Sequence, residues 1–189
     1  MNKFSCIILA GGKGERFGGK KQNVYWKGKP LWKHVYDTCT DVSDDVLIMG
    51  YSKHGRQGAV YNGLKKVKYD TVVIVEAARP LVTARQIQLL AMIVSESLPS
   101  VSYAKKCTNT IVWKGTHIDR KNCYELLVPQ AFRTKLLLKA HKQLKGLNRT
   151  SDTEMMYEIF GIEPYLFIIN GSNLFKITYK GDLKYLDVI

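Results

Sequence analysis

The sequence predicts an α/β fold built on a mostly parallel sheet, and three observations carry that reading. Short apolar runs alternate along the chain with segments of helical periodicity. The run Thr71-Val72-Val73-Ile74-Val75 is β-branched throughout, as in a central strand covered on both faces. The first run, Phe4-Ser5-Cys6-Ile7-Ile8-Leu9, passes straight into a glycine-rich turn, where the backbone can approach a ligand closely.

Taken in order, residues 4–9 read as a strand rather than the core of a leader, because the run is brief and flows into glycine. Residues 31–40 read as a helix entered just after Pro30. Val46-Leu47-Ile48-Met49 is a short strand stopped by Gly50. A helix is expected over 57–66, with Arg56 at its anion-favouring start and Gly63 at its end. Strand 71–75, helix 84–97 and strand 100–104 follow, then helices over 130–145 and 152–160. The last of these helices is capped by Ser151 or Asp152. Residues 165–169 form another strand. The segment 173–183 is strand-like, and alternation turns Lys176 away from Phe175 and Ile177. The loops after 9, 49 and 75 all follow strands, so a parallel sheet brings them to one edge, where ligands sit.

The 189 residues suit one domain, 1–189. No apolar run approaches the roughly 18 residues of a membrane span, so no membrane partner is expected. Cys6, Cys39, Cys107 and Cys123 form no C-x-x-C pair; the expectation is a reducing cytoplasm, without a zinc site or disulfide framework. The net charge of +13 attracts polyanions: nucleic acid, or a nucleoside triphosphate together with a sugar phosphate. The basic cluster over 135–145 has the spacing of a solvated helix face.

The loop after the first strand reads Leu9-Ala10-Gly11-Gly12-Lys13-Gly14-Glu15-Arg16-Phe17-Gly18-Gly19-Lys20-Lys21-Gln22. Its glycines free N–H groups for phosphate oxygens, and Arg16 and Lys21 add charge. A dinucleotide fingerprint fails, since Gly12-x-Gly14-x-x-Phe17 lacks the third glycine. A P-loop fails too, since Gly14-x-x-x-x-Gly19-Lys20-Lys21 has lysine where a magnesium-binding hydroxyl is needed. Further along, Glu76-Ala77-Ala78-Arg79-Pro80 puts a carboxylate and a guanidinium three residues apart. Arginine suits a phosphate and the carboxylate suits Mg²⁺, although a surface ion pair is the plainer reading of this pair alone.

The motifs in sequence are Leu9-Ala10-Gly11-Gly12-x-Gly14-x-Arg16…Lys21-Gln22, Arg56-Gln57-x-x-Val60-Tyr61-Asn62-Gly63-Leu64, Ala77-Ala78-Arg79-Pro80, Asn109-Thr110-Ile111, Val128-Pro129-Gln130-Ala131-Phe132, Ser151-Asp152 and Lys176-Ile177-Thr178-x-x-x-Asp182-Leu183. This order, spanning nearly the whole chain, resembles the 2-C-methyl-D-erythritol 4-phosphate and ribitol 5-phosphate cytidylyltransferases. The stretch from Phe175 to Lys180 is somewhat nearer to the ribitol type.

The resemblance implies a Rossmann-like sheet with a short arm-like insertion, over 108–128, used in homodimerisation. It implies transfer of CMP from CTP to a polyol phosphate, with Mg²⁺, in isoprenoid or ribitol phosphate metabolism. It assigns catalysis to Arg16, Lys21 and Lys176. The nucleotide would lie on Leu9, Ala10, Gly11, Gly12, Lys13, Gly14, Arg16, Lys21, Arg56 and Ala59. The acceptor would meet Glu76, Ala77, Arg79 and Asp152, with Thr110 and Arg120 reaching it from the neighbouring subunit. Glu76 would also hold the metal. Family members usually have Asp at position 76, often have Ser at 59, and carry longer segments before Arg56 and over 110–129; a connecting helix and strand are therefore expected to be missing. Two other readings stay open: the same transfer with another base or acceptor, or a basic RNA-binding protein using the old pocket. No stacking motif supports RNA, so nucleic acid is not the expected partner.

Overall fold

A computed structural model describes residues 3–144, 149, 151–170 and 173–188. Its strands are β1 (Ser5–Leu9), β2 (Tyr25–Trp26), β3 (Lys29–Pro30), β4 (Asp45–Met49), β5 (Thr71–Glu76), β6 (Ser100–Lys106), β7 (Ile111–Trp113), β8 (Thr116–Ile118), β9 (Tyr124–Arg133) and β10 (Tyr165–Ile168). The helices are α1 (Leu31–Thr40), α2 (Gly55–Leu64), α3 (Ala84–Ile93), α4 (Thr134–Gln143) and α5 (Asp152–Phe160). Six strands form one sheet in the order β10-β6-β9-β5-β1-β4. β1 runs parallel to β4 and β5, and β10 parallel to β6, while β9 opposes both its neighbours.

Alternation along β1 and β5 divides the core. Cys6, Ile8, Val73 and Val75 face a cluster with Val35 of α1 and Ile87 and Leu90 of α3. Ile7, Val72 and Ile74 face another with Val60 of α2, Leu137 of α4 and Met155 and Met156 of α5. The result is helix–sheet–helix layering, and Val72 to Val75 are fully buried as a doubly covered strand requires.

Three expectations are corrected. The helix expected over 130–145 begins only at Thr134; residues 130–133 finish β9, which inserts between β5 and β6. Gln130, Ala131 and Phe132 are buried there, and Gln130 donates to the Ser102 hydroxyl at 3.1 Å, so tertiary pairing overrides helical spacing. The far end of that expected helix, Lys145, lies outside the described residues. The helix from Ala84 stops at Ile93, not 97; its start is a capping box in which Thr83 and Gln86 exchange side-chain and backbone bonds. The segment after Asn173 is irregular chain followed by a 3₁₀ helix over Lys180–Asp187, not a strand.

The insertion between β6 and β9 carries the small hairpin β7–β8 and a 3₁₀ turn, Arg120–Asn122. Val112 and Trp113 on it are 55% and 62% exposed, so the hairpin buries little against its own chain.

Candidate active site

β4, β1 and β5 end at the same edge of the sheet, and their loops are stitched together. Ala10 N–H donates to Met49 O at 2.9 Å, and Ala77 N–H donates to Leu9 O at 3.1 Å. Two glycines make the packing possible. A Cβ on Gly11 would come within 2.2 Å of Gly50 O. Gly14 has φ +71°, and a Cβ there would fall 1.7 Å from Gly19 O.

Between these loops lies a cleft of about 640 Å³. Leu9, Ala10, Gly11, Gly12, Lys13, Gly14, Arg16, Lys21, Arg56 and Ala59 all line it, together with Glu76, Ala77 and Lys176. Thirteen of the residues singled out in the sequence therefore share one surface.

At the cationic side, Lys176 Nζ lies 2.8 Å from Glu76 Oε1, and Arg79 Nε lies 3.2 Å from Glu76 Oε2. Burial works to raise the Glu76 pKa, but Lys176 and Arg79 outweigh it and hold the carboxyl below its ordinary value. Lys21 Nζ donates to Ile177 O at 2.6 Å, which pins the residue next to Lys176. Burial, then the like charge of Lys176, lowers the Lys21 pKa. The arrangement concentrates positive charge on a half-buried surface beside glycine-loop amides, which suits a polyphosphate.

Four of the residues singled out for the acceptor do not line this cleft. Arg79 is buried behind Glu76 and also donates to Leu174 O, so in this structure it steadies the segment carrying Lys176. Asp152 is fully buried: Arg56 Nη2 lies 2.6 Å from its Oδ2 and His141 Nε2 lies 2.9 Å from its Oδ1. The structure thus places Asp152 in an internal ion pair and not on the cleft surface. Thr110 and Arg120 sit on the exposed insertion, where Arg120 donates to Thr108 O. Lys176, expected as a strand lysine, is instead half-buried on irregular chain.

Sequence reasoning gave no site role to Tyr51, Ser52 and Thr178, which also line the cleft, although Thr178 stands in the motif that begins at Lys176. The strand ending at Met49 was the available signal, since the loop following it had to arrive at this edge. Lys13 Nζ lies 6.0 Å from the Tyr51 ring centroid, closing that wall over the glycine loop.

Comparison with known proteins adds the family. Residues 40–189 match the family model for 2-C-methyl-D-erythritol 4-phosphate cytidylyltransferase, and residues 6–58 match the MobA-like NTP transferase domain. A 2-C-methyl-D-erythritol 4-phosphate cytidylyltransferase of Clostridium botulinum (strain 657 / Type Ba4) is 32% identical over 97% of this chain and 95% of its own length. The Aquifex aeolicus enzyme of the same name is 30% identical, covering 96% and 94%. The crystal structure of the Francisella tularensis enzyme superposes with a TM-score of 0.77 at 25% identity, covering 100% of this chain and 99% of that one. These relatives carry the erythritol name, not the ribitol name towards which residues 175–180 leaned. The chain belongs to the 2-C-methyl-D-erythritol 4-phosphate cytidylyltransferase family.

Proposed function

We propose that this chain transfers CMP from CTP to 2-C-methyl-D-erythritol 4-phosphate, releasing pyrophosphate. The observation that carries the reading is the gathering of Arg16, Lys21 and Lys176 on one cleft with the glycine loop. An oxygen of the acceptor's phosphate attacks the α-phosphorus, and the bond from that phosphorus to the pyrophosphate oxygen breaks. The attacking oxygen is already ionised, so no general base is needed. Catalysis is then positioning plus charge stabilisation. The glycine-loop amides, Arg16 and Lys21 orient the triphosphate, and Lys176 meets charge building on the α-phosphate.

The residues fit a divalent ion carried in by the triphosphate. Glu76 is ionised, and although each oxygen faces one cation, a carboxylate has about four acceptor sites. Mg²⁺ binds typically through one or two carboxylates plus phosphates and water. No cluster of three or more His, Cys, Asp or Glu side chains that could hold a metal occurs among the described residues, which agrees with an ion held mainly by substrate. When bound, it would neutralise phosphate charge.

The proposal extends to a homodimer formed through the exposed insertion, with Thr110 and Arg120 reaching the neighbour's acceptor, and to a cytoplasmic setting. No helix among the described residues is long and apolar enough to cross a membrane. The test is pyrophosphate release from CTP, UTP, ATP and GTP, each with erythritol-type and ribitol-type phosphates. The reading requires CTP with 2-C-methyl-D-erythritol 4-phosphate to exceed every other pair; equal turnover with UTP would remove cytidylyl selectivity and leave nucleotidyl transfer.

A further inference from the structure

Asp152 is a fully buried carboxylate at the start of α5, far in sequence from the guanidinium it meets. Three helices contribute to its surroundings. Arg56, in the first turn of α2, places Nη2 2.6 Å from Oδ2. His141, near the end of α4 and 3% exposed, places Nε2 2.9 Å from Oδ1. The His141 ring is stacked on Tyr61, also of α2, at 6.5 Å between centroids and 22° between planes. The residue after Arg56, Gln57, points its amide at Met155 Sδ of α5 at 3.7 Å. The first turn of α2 is thus tied twice to α5, and α4 braces the carboxylate from the other side.

Burial alone would raise the Asp152 pKa, but Arg56 first and then His141 hold it well below the usual carboxylate range. An ionised carboxylate only accepts, so the proton between it and His141 belongs to Nε2 of the imidazole. The Arg56–Asp152 contact is a close ion pair, and Arg56 Nη1 is buried with no hydrogen-bond partner among the described residues. A buried ion pair with unsatisfied atoms is a poor way to hold helices together, since well-packed apolar residues often serve as well or better. What this pair does hold is the wall of the cleft: Gly55, Arg56 and Ala59 of α2 all line it.

We infer that Asp152 and His141 are positioning residues, which fix Arg56 and the first turn of α2 as the wall that receives the nucleoside part of a nucleoside triphosphate. The inference rests on the proposed reading of the cleft as a CTP site. The triphosphate is drawn to Arg16, Lys21 and Lys176, so the nucleoside falls against the wall of Gly50 to Ser52 with Gly55, Arg56 and Ala59. That wall is held by the buried pair rather than by contacts with the glycine loop alone.

The test is calorimetric titration of the full chain with CTP, with steady-state kinetics and melting curves alongside. His141→Phe keeps a ring on Tyr61 and removes the donor to Asp152. His141→Gln keeps a donor of similar reach. Asp152→Asn removes the charge with little change of volume. The expected result is CTP binding weakened at least tenfold in His141→Phe and Asp152→Asn, restored to within threefold in His141→Gln, with KM for CTP rising and KM for the acceptor unchanged. If Asp152→Asn fails to fold, the His141 pair decides. CTP binding at wild-type strength in His141→Phe would overturn the inference. So would equal rises in both KM values that track a fall in melting temperature, which is the signature of a purely structural role. Wild-type protein that binds no CTP would instead overturn the reading of the cleft, and the two failures are distinct.

Discussion

Lys176 Nζ rests 2.8 Å from Glu76 Oε1, a contact that spans 100 positions and joins the end of β5 to the irregular chain near the C-terminus. Lys21 secures the same chain one residue further on, through Ile177 O. The two lysines assigned to phosphate chemistry are thereby held by one short segment.

Lys176→Ala is expected to lose about 100- to 1000-fold in turnover, the loss typical of removing one donor from a developing oxyanion. It is also expected to melt lower by a few degrees, because Glu76 loses one of its two cations; a hydrogen bond to a charged group is worth about 1.5–3 kcal/mol. Lys176→Arg should restore little, since a planar guanidinium places its donors differently. Kinetics and melting curves on both variants check this.

Arg79→Ala should act through the fold before it acts through the acceptor. Its guanidinium is buried on Glu76 and Leu174 O, and breaking a buried pair from one side costs about 3–5 kcal/mol. The expected outcome is a clear fall in melting temperature together with a raised KM for the acceptor, as Glu76 and the chain to Lys176 loosen. Unchanged melting would show that Arg79 is not the brace described above.

Alkaline pH should move stability and activity in opposite directions at Lys21. Its folded pKa is lowered from 10.5, so the folded chain releases this proton before the unfolded chain does. The penalty of burying the charged amine is present below the folded pKa and fades as pH rises towards 10.5. Turnover falls over the same window, because the charge that meets the triphosphate is lost. Lys21→Arg, charged throughout, should lose the part of that alkaline fall due to Lys21, as a pH profile of kcat will show.

Acid has the reverse sign at Asp152 and Glu76. Both folded pKa values lie below the ordinary 3.8 and 4.5, so their stabilisation is present above those values and is lost as pH falls through the folded ones. Asp152→Asn should flatten the acid limb of the stability profile, measured by denaturant titration between neutral and strongly acid pH.

The fold was legible wherever local pattern and tertiary placement agree. Leu31–Thr40 and Asp152–Phe160 are helices with the expected bounds, and the β-branched run from Thr71 is a strand buried on both faces. It was illegible at Gln130–Phe132, whose spacing suits a helix but whose burial between β5 and β6 is decided by strands distant in sequence. The glycine loop was legible because glycine, arginine and lysine at those spacings have a chemical reason. The internal partners of Asp152 and Arg79 were not legible, because charge in a motif does not say whether the group faces solvent or another charge. His141 sat within an apparently solvated basic stretch, and only the packing of α4 on α5 exposes its partner.

The most direct measurement follows the α-phosphorus itself. CTP labelled at that atom is incubated with the protein, Mg²⁺ and 2-C-methyl-D-erythritol 4-phosphate, and the products are separated. The label is expected to move into a cytidine diphosphate ester of the acceptor, one equivalent for each pyrophosphate released, and Lys176→Ala is expected to suppress both together. Label recovered as free CMP, or none transferred in the presence of the acceptor, would contradict that transfer.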